Sequence, residues 1–192
     1  MNTKGKRIIL ASGSPRRKEL LAGLLVDFEV DTQNNFKEDY DPQTPHRHIP
    51  ELLSEGKSYG FHRELADNEI LITSDTLVLC ADKVMGKPAS KEDAHNMLRL
   101  LSGRSHEVIT AVTIRNRSGH KTFSDIAIVH FKELTDNEIE FYIEQFKPFD
   151  KAGAYGIQEW IGYIGIDRIE GSYFTIMGFP LHLVYQELQQ FL

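Results

Sequence analysis

The chain has one cysteine, Cys80, in 192 residues. That excludes an intramolecular disulfide and any metal site assembled from several thiolates. It also lacks an apolar run near the roughly 20 residues that cross a bilayer. The stretch Ile8-Ile9-Leu10-Ala11 follows a basic N-terminus, but it is too short for a signal-peptide core and runs into Gly13, Pro15 and two arginines. Positive charge is in deficit as well, with a net charge of −6. A broad nucleic-acid-binding surface is therefore disfavoured, and an anionic ligand must be met by a local cluster of cations or by a metal ion. Repeats, linkers and low-complexity segments are absent, so the expectation is one cytoplasmic domain over residues 1–192, built as two closely joined lobes, without membrane or nucleic-acid partners.

What is present reads as mixed α/β. Ile8–Ala11 is a short buried strand, and Ser12-Gly13-Ser14-Pro15 turns it into an amphipathic helix over 16–25, with proline at the first helical position. A strand over 28–31 precedes a polar, proline-containing loop over 34–50, and a weaker helix spans 51–65. Residues 69–79 form the clearest strand, and a short hairpin follows to Met85. A helix opens at Ser90 with Asp93 three residues on and ends at Gly103. Strands over 106–115 and 122–131 join through Asn116-Arg117-Ser118-Gly119, a hairpin signal. Thr135 with Glu138 starts another helix, to Phe146. A long loop over 147–158, a strand near 161–168 and a helix over 181–191 complete the chain. The hairpins disfavour an all-parallel sheet.

Four segments could carry chemistry. Ser12-Gly13-Ser14-Pro15-Arg16-Arg17 places hydroxyls, guanidinium groups and helix N-terminal N–H groups where phosphate oxygens would be welcome. The alternative is a capped helix start with two solvated arginines. Ser74-Asp75-Thr76 puts a carboxylate inside an apolar strand, which is costly unless it is paired, hydrogen-bonded or near a metal. Gly86-Lys87-Pro88 holds a lysine in a stiff turn, either for a phosphate or simply exposed. Residues 148–158 combine small residues with Gln158, whose amide can both donate and accept, as a base edge requires. Two histidines in His46-Arg47-His48 are weak grounds for zinc, and His106 reads as a structural or supporting residue.

Taken together and in this order, these segments resemble the Maf family of nucleoside triphosphate pyrophosphatases. The matching stretches are 10–17, 74–78, 86–88, 101–110, 150–158 and 171–181, nearly the whole chain. The resemblance implies a mixed twisted sheet flanked by helices, an inosine triphosphatase-like fold, elongated with a central cleft. It implies hydrolysis of dTTP and UTP to the monophosphate and pyrophosphate, the Lys151–Gln158 segment being similar to the subfamily with that preference. By position, Asp75 matches the proton acceptor that activates water, and Arg16, Thr76 and Gln158 match specificity positions. Ser12, Arg17, Lys57 and Lys87 match the phosphate pocket, with Lys151 as a further cation. Glu38 matches a glutamate that helps hold Mg²⁺. The resemblance also implies homodimerisation and leaves a second role open, a nucleotide-binding regulator of septum formation. Departures are Gly56, which weakens the helix carrying Lys57, Thr175 for the usual asparagine, and Phe179 for the usual leucine.

Overall fold

The structure, a computed structural model, describes residues 2–192. Its elements in chain order are β1 (Arg7–Leu10), α1 (Pro15–Gly23), β2 (Phe28–Val30), α2 (Ile49–Tyr59), β3 (Glu69–Cys80), β4 (Lys83–Met85), α3 (Lys91–Leu101), β5 (Ser105–Arg115) and β6 (His120–Phe131). They continue as α4 (Asp136–Phe146), α5 (Trp160–Gly165), β7 (Ile166–Glu170), α6 (Tyr173–Ile176) and α7 (Leu181–Phe191). The seven strands form one mixed sheet in the order β2-β1-β3-β5-β6-β7, with β4 paired to β3. Among the described residues, no helix is long and apolar enough to cross a membrane.

Two compact units partition the chain. The first comprises residues 1–75, 110–125 and 178–192; the second comprises 76–109 and 126–177. In the first, β1 pairs in parallel with both β2 and β3, the latter in the register Arg7↔Glu69 to Leu10↔Ile72. β1 and β3 are apolar on both faces, as strands inside a parallel arrangement must be, and Ile8, Ile9, Leu10, Ile70, Leu71 and Ile72 are all at most 1% exposed. In the second unit, β3 continues into an antiparallel hairpin with β4, β6 pairs antiparallel with β7, and α3 packs on α4.

The helix starts follow from side-chain chemistry. Ser14, Ser90 and Thr135 each accept a hydrogen bond from a backbone N–H in the first turn, and Glu138 completes a capping box with Thr135. Three expectations are corrected. The segment from Trp160 to Gly165 is a helix, and the strand begins only at Ile166. Its β-branched residues suggest a strand, yet Ile161 and Gly165 are buried while Tyr163 between them is 76% exposed. A strand would have put all three on one face. The helix carrying Lys57 is shorter than expected: it starts at Ile49 and stops at Tyr59, where Gly60 follows. The loops are less bare than the sequence suggests, because a 3₁₀ turn occupies His46–His48, another Ala152–Ala154, and α6 follows β7.

Candidate active site

In the first unit, β1 and β3 run in parallel to a common edge, and each reaches a serine two residues past the paired Leu10 and Ile72. Carboxyl ends of parallel strands are where ligands bind in sheets of this kind. Arg17, in the first turns of α1, ties this edge together. Its Nη1 donates to Ser12 Oγ at 3.3 Å and to Ser74 O at 2.9 Å, and its Nε donates to Gly178 O at 2.9 Å. Ser12 Oγ also accepts the Ser14 N–H at 3.3 Å. Removal from water pushes the Arg17 pKa down to about 10, against the pull of Asp75.

A second set of bonds brings α2 to the same edge. Thr73 Oγ1 donates to Ser54 O at 2.7 Å, and Ser54 Oγ donates to Thr73 O at 3.3 Å. One turn beyond Ser54 on the helix is Lys57; two residues beyond Thr73, on the same strand face, is Asp75. The pairing therefore repeats at higher charge: Lys57 Nζ donates to Asp75 Oδ1 at 2.6 Å. The same ammonium meets Glu38 Oε1 at 2.8 Å. Two carboxylates thus converge on one lysine. Burial raises the Asp75 pKa above the usual carboxylate range, Lys57 and Arg17 oppose that, and Glu38 adds to it. Lys57, with Arg17, favours the ionised form of the buried Asp75.

Of the residues singled out from sequence, the first unit brings together Ser12, Arg17, Glu38, Lys57 and Asp75, with Arg16 beside Arg17 at the start of α1. Thr76, Lys87 and Gln158 belong to the second unit. Thr76 follows Asp75 on β3, and Lys87 is exposed just after β4. Lys151 is not an available cation: it is buried, 3.1 Å from Glu159 Oε1 and 2.7 Å from Asp150 Oδ1.

The segment holding Gln158 is braced by Tyr142, which the sequence did not mark, and by His106, which it marked as structural or supporting. Tyr142 OH accepts the Gly156 N–H at 3.0 Å and donates to Glu159 Oε2. Tyr155 OH bonds His106 Nε2 at 2.7 Å. His106 is buried, and desolvation, with a smaller contribution from His130, brings its pKa to about 3, so the ring is neutral at physiological pH. Gly153 adopts a φ of +71°, open to glycine at little cost, with Val78 side-chain atoms 3.2 Å from where a Cβ would lie. Gln158 Oε1 is buried without a hydrogen-bond partner among the described residues. A buried orphan acceptor is expensive unless a ligand satisfies it. Only the capping and periodicity signals around Tyr142 were readable in sequence; its hydroxyl's partners lie on a loop with no periodic pattern.

For a metal ion, carboxylate oxygens are the donors that Mg²⁺ favours. Glu38 and Asp75 already share one cation, the Lys57 ammonium, so their oxygens stand close enough to face a common positive charge. Among the described residues no group of three or more His, Cys, Asp or Glu could hold a metal ion, so Glu38 is the residue that would hold a divalent cation whose remaining ligands come from water or phosphate.

Residues 7–191 match the sequence profile of the family described as Maf-like protein. A curated relative from Porphyromonas gingivalis, named dTTP/UTP pyrophosphatase, is 45% identical over 192 residues, which is 99% of this chain and 96% of the relative. One from Parabacteroides distasonis with the same name is 46% identical over 190 residues, 99% of this chain and 98% of the relative. Among solved structures, a HAM1 protein from Coxiella burnetii superposes with a TM-score of 0.48 at 14% identity, covering 96% of this chain and 99% of its own.

Proposed function

The chain belongs to the Maf-like protein family, and from that premise we propose that it hydrolyses dTTP and UTP to the nucleoside monophosphate and pyrophosphate. The curated relatives support the substrates, and the Lys57–Asp75 pair, at 2.6 Å, supports the chemistry. Asp75 accepts a proton from a water molecule as the water oxygen attacks the α-phosphorus. The bond from that phosphorus to the bridging oxygen breaks, and its electrons leave with pyrophosphate. An ionised base with an elevated pKa is the better proton acceptor, provided something keeps it ionised at the working pH. Burial supplies the elevation and Lys57 the ionisation.

Arg16, Arg17 and Lys87 provide the positive field that a departing polyanion requires in a protein of net charge −6. Arg17 also holds the backbone frame on which Asp75 stands, through Ser12, Ser74 and Gly178. A divalent cation, Mg²⁺, held by Glu38, would supply charge neutralisation at the phosphate oxygens. Gln158 reads the base: held so that its buried Oε1 faces N3, the amide complements the N3–H and O4 of thymine and uracil, and in that orientation it mismatches both positions of cytosine. Thr76 contributes to the same choice. In this reading residues 1–192 act as one Maf domain, in the cytoplasm and as a homodimer.

The test is pyrophosphate release from a panel of nucleoside triphosphates with Mg²⁺, comparing wild type with a folded Asp75→Asn variant. Turnover of dTTP and UTP should fall by about 10²–10⁴-fold in the variant, the usual worth of a general base. A folded variant that keeps wild-type turnover would remove Asp75 from the chemistry.

A further inference from the structure

Glu38 lies in a stretch with no helix or strand of its own, yet it reaches Lys57 at 2.8 Å. The approach is prepared by the residues before it, which run back along the end of α2. Asn34 forms a bridge with Phe61, and its Nδ2 donates to Lys57 O at 2.6 Å. Asn35 N donates to Gly60 O at 2.8 Å, and Phe36 N to Asn34 Oδ1 at 2.8 Å. The Phe36 ring then lies where side chains are missing. A Cβ on Gly56 would sit 2.3 Å from Phe36 Cε2 and Cζ, and a Cβ on Gly60 would sit 2.5 Å from Phe36 Cβ and 2.8 Å from its backbone N. Gly56 and Gly60 are four apart and so share one helix face. The glycine that weakens α2 is the one that admits the ring.

We propose that Phe36 is a positioning residue, whose ring, seated on the Gly56–Gly60 face of α2, fixes where Glu38 meets Lys57 and so sets the environment of Asp75. This rests on the reading of Asp75 and Glu38 given above. The geometry is short-range. Two residues of chain reach at most about 7 Å, so a fixed Phe36 leaves Glu38 little room to stray. Without that seat the carboxylate hangs on a polar segment that continues irregularly as far as Pro45. Asp75 is faced by Lys57 from α2, by Arg17 from α1 and by Glu38 from this strap, and Arg16 stands next to Arg17.

The experiment combines Gly56→Ala, which evicts the ring, Phe36→Ala, which removes it without a clash, and Glu38→Gln, alone and in pairs. Alanine is the better helix former, so Gly56→Ala has no helical reason to impair the enzyme. Both strap variants should lower kcat/KM for dTTP by roughly 10–100-fold, the scale of a misplacement of about 1 Å. They should also speed hydrogen exchange at residues 35 and 36, whose N–H groups are bonded in the seated strap. In the Glu38→Gln background neither strap substitution should cost anything further. Should Gly56→Ala and Phe36→Ala keep wild-type kcat/KM and wild-type hydrogen exchange at residues 35 and 36, the proposal fails. It fails equally if they cost the same factor with and without Glu38. A silent Glu38→Gln would overturn it and also dismiss Glu38 from the site, leaving Asp75 standing. Wild-type turnover by Asp75→Asn would instead bring down the underlying reading.

Discussion

Replacing Lys57 with methionine keeps the length of the side chain and deletes the one cation shared by Asp75 and Glu38. At 2.6 Å the Lys57–Asp75 attraction is about 6 kcal/mol at an effective dielectric of ~20, before desolvation is charged against it. Glu38 is 62% exposed, so its share is that of a surface pair, about 0–1 kcal/mol. The side chains of Lys57 and Asp75 are 20% and 14% exposed. Breaking a fully buried pair costs about 3–5 kcal/mol, and some access to water brings the expectation here to about 2–3 kcal/mol. The loss should depend on pH, and its sign is fixed. Burial holds the Asp75 pKa above its unfolded value even with Lys57 present. A group shifted this way favours the fold while protonated, and the benefit disappears as pH rises through the folded pKa. Without Lys57 the shift grows, so Lys57→Met should lose more stability than wild type as pH rises from the acid range through the folded Asp75 pKa. The assay is urea unfolding at several pH values, with Lys57→Met/Asp75→Asn as the control. That double variant should recover most of the lost stability and none of the turnover. Equal stability of Lys57→Met and wild type across the range, or a double variant no more stable than Lys57→Met, would refute the account of Lys57 as the group that keeps Asp75 charged.

Two further outcomes follow from the second unit. Gln158→Leu should reduce the preference for dTTP over dCTP by roughly 10–100-fold, because a mispaired buried polar group is worth about 1–3 kcal/mol; unchanged selectivity in competition assays would free Gln158 of the base. His106, with a folded pKa of about 3 against an ordinary 6.5, must be charged on unfolding in acid. Its depressed pKa contributes stability above pH 6.5 that is lost on acidification, about 2 kcal/mol by pH 5. His106→Gln should therefore be less acid-sensitive than wild type by that amount, and parallel stability–pH curves would contradict it.

Local chemistry was legible in sequence wherever it acts within a few residues. Ser14 before Pro15, Ser90 with Asp93, and Thr135 with Glu138 announce helix starts, and the apolar runs of β1 and β3 announce buried strands. The residues facing one another across the first unit were recognisable only through the resemblance, since positions 38, 57 and 75 share no local pattern. What failed to show was through-space. Ile161 to Ile164 carries a strand-like composition, but the helix there is decided by which side chains find cover. Lys151 reads as a free cation until Glu159 is found beside it. Gly56 reads as a flaw in a helix until Phe36 is found occupying the missing side chain's place. Each of these depends on a partner whose distance along the chain no periodicity encodes.

Arg17 has a consequence for the order in which the molecule can be completed. Three of its acceptors come from positions 12, 74 and 178, far apart along the polypeptide. During synthesis the first two are present early, while the Gly178 carbonyl arrives 104 residues after Ser74. Until then the guanidinium that steadies the strand beneath Asp75 lacks one of its anchors. The frame beneath Asp75 thus waits on Gly178, and a growing chain that has already built β1, β3 and α2 still lacks one of its braces.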